Sequence, residues 1–342
     1  MKITFRIIFF SLLILTHISP KAQELEGELN FHGFADNREY AKSNRYSQTI
    51  FGSRISPEIG ILIDSTHRLR IGINALQEFG DRNFFKHIDP VFYYQYQKNN
   101  WNFYLGAFPR VNLLDDYPRA LLADTFQYFR PNIEGMLVKY ETQHFKQTLW
   151  VDWTGKQTDT DRETFLFGFS GKYQPGRFFV SHHAYMYHYA LSAISPANQY
   201  LEDNGAIQAQ LGLDFSNDTF LDSLTISAGG MLSIERVRGL GTSSIPKGFV
   251  TNLNAGYKKF SLSNTFYTGE GHHLINGDAF YTAKTYDRLD LGWTPIMFKN
   301  IEGKFTFSLH FLENVIDSQQ AFSLRYKIAG KKNLRKTGSS FH

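Results

Sequence analysis

Two adjacent histidine pairs are the first residues in the sequence that could do chemistry. They are His182-His183 and His272-His273. Neighbouring residues of a β-strand point to opposite faces, so the two rings of either pair are not placed to bind the same metal ion. Histidines on a surface or lining an interior are the simpler interpretation. The pairs therefore predict no metal site.

Three further patterns could carry chemistry, and each is incomplete. Asp159-Thr160-Asp161 could offer oxygen ligands to Ca²⁺, but it lacks the glycine-turn spacing of an EF-hand, and an exposed acidic loop is the default. Gly239-Leu240-Gly241 lacks the rest of a nucleotide-binding pattern, and no Gly-x-Ser-x-Gly motif occurs. The absence of cysteine excludes a thiolate zinc site, an iron–sulfur cluster, a cysteine nucleophile and disulfides. We expect no catalytic residues, no metal, no cofactor and no enzymatic activity.

The charge balance limits the partners. The 342 residues carry 36 Lys and Arg against 32 Asp and Glu, a net charge of +4, with both signs spread along the chain. A nucleic-acid-binding protein concentrates positive charge on one face, which this pattern does not do. Nucleic acid is therefore not an expected partner.

The N-terminus is typical of a secretory signal peptide. Lys2 and Arg6 precede an apolar run at residues 7–15, and the small residue Ala22 marks a cleavage position. The run is much shorter than the roughly 20 residues that a membrane-spanning helix needs. We predict a cleaved signal peptide over residues 1–22 and a mature chain exported from the cytoplasm.

Apolar and polar residues alternate from residue 27 onward. Phe305, Phe307 and Leu309, for example, alternate with Thr306 and Ser308. A period of two is the pattern of strands with one apolar and one polar face. The predicted strands lie at 27–36, 48–63, 67–79, 89–97, 101–109, 132–141, 145–155, 162–174, 177–190, 204–216, 222–235, 247–257, 259–269, 278–293, 301–312 and 319–329.

The connections between these strands alternate between short and long. The longer ones lie at 37–47, 80–88, 110–131, 156–161, 191–203, 236–246, 270–277 and 313–318. An even strand number with this alternation is the organisation of outer-membrane barrels. The sequence predicts an all-β fold, a transmembrane antiparallel up-and-down β-barrel of about 16 strands with short periplasmic turns and long extracellular loops. The barrel is predicted over residues 23–330, followed by a basic, polar tail at 331–342.

The side chains on the two faces of the predicted strands indicate a barrel wall with lipid on one side and water on the other. Three tryptophans and a tyrosine ladder lie near strand ends, where they suit the lipid headgroup zones: Trp101, Trp153, Trp293, Tyr185, Tyr187 and Tyr189. The polar faces carry charges that would cost several kcal/mol each in a dry core, so we expect a water-filled lumen. The residues predicted to line it are Arg54, Arg70, Asp152, Asp214, Arg288, His310 and Arg325. A soluble β-sandwich also alternates and remains an alternative.

On these features the chain resembles the Gram-negative outer-membrane porins over residues 27–329. The resemblance is architectural, and no short motif indicates a subfamily. It implies a channel for passive or weakly selective diffusion of small hydrophilic solutes. The expected partners are outer-membrane lipid, such solutes, and other envelope proteins or a second copy. Porins usually end on an aromatic residue in the last strand, whereas Phe341 is penultimate here, so the position of the last strand stays open.

The resemblance draws attention to the third long connection, residues 110–131, because in porins this loop folds inward and narrows the channel. Its charged residues are expected to form a constriction: Arg110, Asp115, Asp116, Arg119, Asp124 and Arg130. Asp115 and Asp116 are expected to oppose arginines of the wall across water. The apolar residues of the loop predict packing against the inner wall. A short helix that caps the mouth or docks a partner is the alternative.

Two other functional classes remain open. A noncatalytic subunit of an envelope complex would have an occluded lumen and an exposed apolar loop surface. A barrel-embedded hydrolase could hold Ser, His and Asp or Asn near one rim without any linear motif.

Overall fold

The alternating residues form strands throughout the part of the chain that the computed structural model describes, residues 23–216 and 218–333. The predicted signal peptide lies outside the described residues. The strands are β1 (Gln23–Glu39), β2 (Gln48–Ile63), β3 (His67–Glu78), β4 (His87–Lys98), β5 (Trp101–Pro109), β6 (Asn132–Glu141), β7 (Phe145–Gly155), β8 (Thr164–Tyr173), β9 (Phe178–Tyr189), β10 (Glu202–Asp214), β11 (Ser223–Val237), β12 (Thr242–Ser244), β13 (Lys247–Tyr257), β14 (Phe260–Gly269), β15 (Thr285–Phe298), β16 (Ile301–Leu312) and β17 (Val315–Asn333).

The helical structure of the described residues is short. It consists of the four-residue helix α1 (Phe126–Phe129) and the 3₁₀ turns Ala41–Ser43 and Ala279–Thr282. Among the described residues, no helix has the length and hydropathy needed to cross a membrane.

All seventeen strands belong to one antiparallel sheet that closes on itself. Phe31 of β1 lies opposite Ile55 of β2 on one side and opposite Tyr326 of β17 on the other. The three-residue β12 is a short addition beside β11, so sixteen long strands close the barrel. Closure leaves no unpaired edge along the wall, as a bilayer requires. The predicted fold class is confirmed.

The period of two separates the faces of the wall. Outward side chains such as Ile59 and Phe92 are 63% and 58% exposed, whereas the inward Asp152 is 2% exposed. In β16, Phe307 is exposed and His310 is buried, in agreement with the parity of the sequence. The apolar outer band is the surface that faces lipid in outer-membrane barrels.

The two ends of the barrel carry connections of different length. One end has turns such as 64–66, 99–100 and 258–259, and we call it the short-turn end. The other end carries the long connections 110–131, 190–201 and 270–284, and we call it the long-loop end. In outer-membrane barrels these ends face the periplasm and the exterior, respectively. The last connection, predicted at 313–318, is instead a two-residue turn between β16 and β17.

The strands β15 and β17 depart most from the predicted boundaries. A strand was expected at 278–293, but a 3₁₀ turn occupies Ala279–Thr282 and β15 begins at Thr285. The Asp278 carboxylate accepts a hydrogen bond from the N–H of Phe280 at 3.1 Å, which begins the turn, and Phe280 packs into the interior. At the C-terminus, β17 runs to Asn333, so the first residues of the predicted tail belong to the strand. Residues 334–342 lie outside the described part.

A cluster of buried apolar side chains crosses the lumen. It joins Leu114, Leu121 and Leu122 to inward residues of every long strand from β4 to β16. Trp150 and Tyr267 in this cluster are completely buried. The expectation of a water-filled lumen is wrong at this level of the barrel, because the third long connection and the wall fill it with packed side chains.

Candidate functional site

The third long connection, residues 110–131, lies inside the barrel. The N–H of Arg110 donates to a carbonyl at the other end of the connection, at 2.7 Å. Tyr117 anchors its middle, because its hydroxyl accepts from Trp150 Nε1 at 2.8 Å and donates to the carbonyl of Ala184 at 3.0 Å. The connection is therefore fixed to the inner wall.

Two of the predicted constriction residues join a network of charges inside the barrel, which we call the interior latch. Arg119 Nε lies 2.9 Å from both carboxylate oxygens of Asp124, and Arg119 also lies 3.2 Å from Asp290 of β15. Arg288 of β15 lies 2.8 Å from Asp290, 3.4 Å from Asp124 and 3.8 Å from Asp278. Burial alone would raise the pKa of Asp124, but the guanidinium groups of Arg119 and Arg288 outweigh it and lower that pKa to about 2.

The expected opposition of Asp115 and Asp116 to wall arginines is wrong. Asp115 accepts a hydrogen bond of 2.9 Å from the N–H of Asn112, inside its own loop. Asp116 lies 2.6 Å from Lys146 Nζ. Asp115 is bonded within the loop and Asp116 is paired directly with a lysine of β7, so neither carboxylate faces a wall arginine across an aqueous gap.

The arginines at the ends of the connection have different environments. Arg110 is buried and pairs with Asp152 of β7, and Asp152 also accepts a hydrogen bond of 2.9 Å from the N–H of Glu134. Arg130 is exposed. The six residues predicted as one constriction therefore divide among the interior latch, the wall and the surface.

The register places all seven predicted wall residues on the inward face, but in different local contacts. Arg54 of β2 donates to the carbonyls of Gln127, at 3.0 Å, and of Tyr128, so it holds α1. Arg325 reaches Gln127 Oε1 at 3.5 Å. Elsewhere, Arg70 binds Glu26, Glu28 and Glu58 near the short-turn end, Asp214 binds Gln174, and His310 binds the Tyr286 hydroxyl.

The adjacent histidines do not act as pairs. His272, in the connection before β15, is 1% exposed, and its Nδ1 lies 2.7 Å from the buried Ser233 Oγ. Burial lowers the pKa of His272, so its ring is neutral at pH 7. His273, the next residue, lies at the surface. Residues 23–216 and 218–333 contain no group of three side chains arranged to hold a metal ion.

An imidazole and a carboxylate meet on the outward face of the wall, close to the long-loop end. Phe165 of β8, His188 of β9, Asp203 of β10 and Arg236 of β11 lie opposite one another in a cross-strand row. His188 Nδ1 lies 3.1 Å from Asp203 Oδ1, and Arg238 Nε lies 2.6 Å from Asp203 Oδ2. We call His188 and Asp203 the rim dyad.

The rim dyad is shielded yet reachable. The side chain of His188 is 17% exposed and that of Asp203 is 9% exposed. The His188 ring lies 5.0 Å from the ring of Phe165, which stacks on Trp153. With Nδ1 directed to the carboxylate, Nε2 is the ring nitrogen available to take a proton. An imidazole whose Nδ1 is oriented by a carboxylate is the arrangement of a general base.

Sequence reasoning missed the rim dyad. It assigned the ladder of Tyr185, Tyr187 and Tyr189 to the headgroup zone, but these rings face inward, and Tyr185 is 3% exposed. His188 alternates with the ladder and therefore faces outward. The sequence did contain an indication of this site. The alternation assigns both His188 and Asp203, which are polar, to the lipid-facing side near the ends of two consecutive predicted strands.

The fold identifies the class of protein as an outer-membrane β-barrel. Among solved structures, it is similar to a loop L8 deletion mutant of OmpT of Vibrio cholerae, with 10% identity, 90% of this chain and 100% of that chain covered, and a TM-score of 0.57. It is also similar to OccK11 of Pseudomonas aeruginosa, with 10% identity, 90% and 96% covered, and a TM-score of 0.51. At such low identity these similarities describe the fold alone.

A family model described as Lipid A 3'-O-deacylase-type matches residues 18–329, and the chain therefore belongs to this family. No curated protein matches the sequence. The family is described by a hydrolytic activity, so the predictions of a porin-like diffusion channel and of a protein that is not an enzyme are wrong. Small hydrophilic solutes were expected as partners only because a channel was predicted, so that expectation is no longer supported. Contact with outer-membrane lipid follows from the fold.

Proposed function

We propose that the protein hydrolyses an acyl ester of lipid A at the outward face of the barrel, with His188 as the general base. The family name specifies a 3'-O-acyl group, which is an acyl chain held by an ester bond. Hydrolysis of an ester needs a base for the attacking water and stabilisation of the oxyanion. The rim dyad and the adjacent Arg238 supply groups of these types.

The location of the rim dyad carries this proposal. A lipid substrate lies in the membrane beside the barrel, so the catalytic group must face outward and lie near the external leaflet. His272 with Ser233 and His310 with Tyr286 are buried on the inward side. His67 with Tyr94 faces outward but lies at the short-turn end. The rim dyad meets both conditions.

The proposed reaction follows from the two ring nitrogens of His188. Nε2 accepts a proton from water as the water oxygen attacks the ester carbonyl carbon. The tetrahedral intermediate then collapses, the bond from the acyl carbon to the sugar oxygen breaks, and the imidazolium returns its proton to that oxygen. The products are a free fatty acid and a sugar hydroxyl, which balances the consumption of one water.

Asp203 and Arg238 stabilise the two charges that develop during the reaction, on the His188 imidazolium and on the oxyanion, respectively. Asp203 holds the proton of Nδ1 and stabilises the imidazolium, which fixes the tautomer with a basic Nε2. Arg238 holds Asp203 through Nε, and its side chain is 48% exposed, so its terminal N–H groups remain accessible to the oxyanion. The apolar outward residues Met186 and Ile234, next to the dyad on β9 and β11, would contact the acyl chain.

The test is acyl release by the purified barrel in detergent micelles containing lipid A. Mass spectrometry should detect the loss of one ester-linked chain and the free fatty acid. His188→Gln should lower the rate by about 10²–10⁴-fold, the contribution of a general base. His182→Gln is the matched control, because His182 lies on the same face of β9, three rows nearer the short-turn end.

A further variant separates the two histidine centres. His272→Gln removes the buried imidazole bonded to Ser233 and should leave the rate within about twofold. If His272→Gln abolishes acyl release and His188→Gln does not, the reaction takes place at His272 and Ser233. The assignment of His188 as the general base is then wrong.

A further inference from the structure

A single guanidinium group lies across the strand ends that carry the rim dyad. Arg162 belongs to the connection between β7 and β8, and its side chain is 14% exposed. It contacts β9 and β10 at Tyr189 and Glu202, which form the next pair in the register after His188 and Asp203. In the described part of the chain, none of its hydrogen bonds reaches the rim dyad itself.

Four acceptors surround this guanidinium group. On the β9 side, Nε donates to the carbonyl of Ala190 at 2.7 Å, and Nη2 donates to the carbonyl of Tyr189 at 3.1 Å. On the β10 side, Nη2 donates to the carbonyl of Tyr200, and Nη1 lies 3.3 Å from Glu202 Oε1. The planar fork of an arginine can reach several such acceptors at once, whereas a lysine ammonium is a single point. Arg162 therefore connects the end of β9 to the start of β10, and we call these contacts the Arg162 clamp.

The guanidinium group of the Arg162 clamp is held in its plane. Its central carbon lies 3.3 Å from the centroid of the Tyr189 ring, a cation–π contact. The backbone beside it is also bonded, because the N–H of Ala190 donates to the carbonyl of Glu163 at 2.9 Å. Arg162 is thus an ordered part of the long-loop end and differs from a solvated surface arginine.

The rim dyad lies at the ends of two strands that a long connection joins. Residues 190–201, which the structure describes throughout, form neither helix nor strand. His188 is the second-last residue of β9, and Asp203 is the second residue of β10. Strand ends beside an irregular connection open more readily than the rest of a sheet. An opening of about 1 Å would take His188 Nδ1, now 3.1 Å from Asp203, out of hydrogen-bond distance.

We propose that Arg162 is a positioning residue for the rim dyad, which acts by holding the end of β9 against the start of β10. This inference rests on the proposed function. It adds that the contact between His188 and Asp203 depends on the Arg162 clamp at the next pair along the strands. Arg162 transfers no proton and touches no ester, so its effect reaches the reaction entirely through the rim dyad.

The kinetic test is a double-mutant cycle of Arg162→Ala with Asp203→Asn, measured as acyl release by the complete barrel in detergent micelles. Arg162→Ala alone should lower kcat by about tenfold to a hundredfold, the cost of a displaced reacting group. KM should stay within about twofold, because ground-state binding is retained. In the Asp203→Asn background, Arg162→Ala should have no further effect, because the contact that it maintains is already lost. A general structural role would lower kcat by the same factor in both backgrounds.

Two other arginine variants show whether the fork matters. Arg162→Lys keeps the charge and disturbs folding less than alanine, but it cannot reach acceptors on both strands, so it should lower kcat nearly as much. Arg177→Ala is the matched control, because Arg177 is 65% exposed and lies in the turn before β9 at the short-turn end. It should leave kcat unchanged. Wild-type kcat in Arg162→Lys would show that charge alone suffices and would overturn the Arg162 clamp.

A measurement that needs no activity separates this inference from the proposed function. NMR of the barrel labelled with ¹⁵N-histidine should show a hydrogen-bonded Nδ1–H of His188, assigned by its absence in His188→Gln. This signal should be lost in Arg162→Ala and retained in Arg177→Ala. A retained signal in Arg162→Ala, or equal effects in both backgrounds of the kinetic cycle, would overturn the inference. Loss of the signal in Arg162→Ala, together with no acyl release by wild type, would support the Arg162 clamp and refute the proposed function.

Discussion

Asp124→Asn tests whether the interior latch holds the third long connection inside the barrel. The substitution keeps the size of the side chain and removes its charge. Asp124 contacts Arg119 at 2.9 Å and Arg288 at 3.4 Å, and the side chain of Arg288 is only 5% exposed. The variant therefore removes one of the three carboxylates around a buried guanidinium.

The expected cost is about 2–4 kcal/mol of folding free energy. Breaking a buried pair by removing one partner costs about 3–5 kcal/mol, and the two remaining carboxylates, Asp278 and Asp290, reduce this value. Asp116→Asn is the control from the same loop. It removes a partly exposed pair with Lys146, which is worth about 0–1 kcal/mol.

The assay is the temperature at which the barrel in dodecyl sulfate converts from the folded to the unfolded gel band. Asp124→Asn should convert at a clearly lower temperature than wild type, and Asp116→Asn should not. The folded-state pKa of Asp124, about 2, lies below the ordinary 3.8, so its stabilisation is complete above that ordinary value and declines as the pH falls towards 2. The difference between wild type and Asp124→Asn should shrink over the same range. Equal conversion temperatures for the two variants would refute the claim that the interior latch holds the third long connection inside the barrel.

Three further predictions follow from the wall, the lumen and the rim dyad. Phe307→Lys, on the lipid face, should impair assembly by about 2–4 kcal/mol relative to Thr306→Lys on the inward face, measured as the folded fraction in the outer membrane, and equal yields would mean that β16 is shifted by one residue. Planar bilayers containing wild type should show no steady conductance, because packed side chains cross the lumen, and stable open-channel currents would contradict that packing. Asp203→Asn should lower the rate of acyl release at least about a hundredfold, because the amide cannot stabilise the imidazolium, and an unchanged rate would exclude Asp203 from the proposed mechanism.

The alternation of apolar and polar residues predicts most of the barrel wall, because side chains that face lipid are apolar and those that face the interior are mostly polar. The bounds of β2, β13 and β16 agree with the prediction to the residue. The prediction was wrong at 278–284, where Phe280 and Tyr281 leave the strand pattern to pack on side chains from distant strands. That packing depends on the closed barrel, so no local pattern could indicate it.

The charges of the third long connection show a similar limit. The sequence indicates that Arg119 and Asp124 lie in an apolar, inward-packing segment. It does not indicate that they meet Arg288 and Asp290 of β15, more than 150 residues later, because this contact depends on how the segment folds inside the closed wall. The prediction of charges that face each other across water failed for this reason.

The rim dyad could be predicted only in part. Parity assigns His188 and Asp203 to the lipid-facing side, but their contact depends on the register across β9 and β10. The connection 190–201 joins these two strands, and Arg162 contacts residues at both of its ends. Arg162 donates to the carbonyls of Tyr189 and Ala190 and pairs with Glu202 at 3.3 Å.

The central claim is that water cleaves a lipid A ester beside His188. The most direct measurement is acyl release in H₂¹⁸O by wild type, His188→Gln and His182→Gln, with mass spectrometry of both products. Wild type and His182→Gln should release a fatty acid that carries one ¹⁸O and leave the new sugar hydroxyl unlabelled, while His188→Gln should release almost none. No release by wild type, or undiminished release by His188→Gln, would contradict the account.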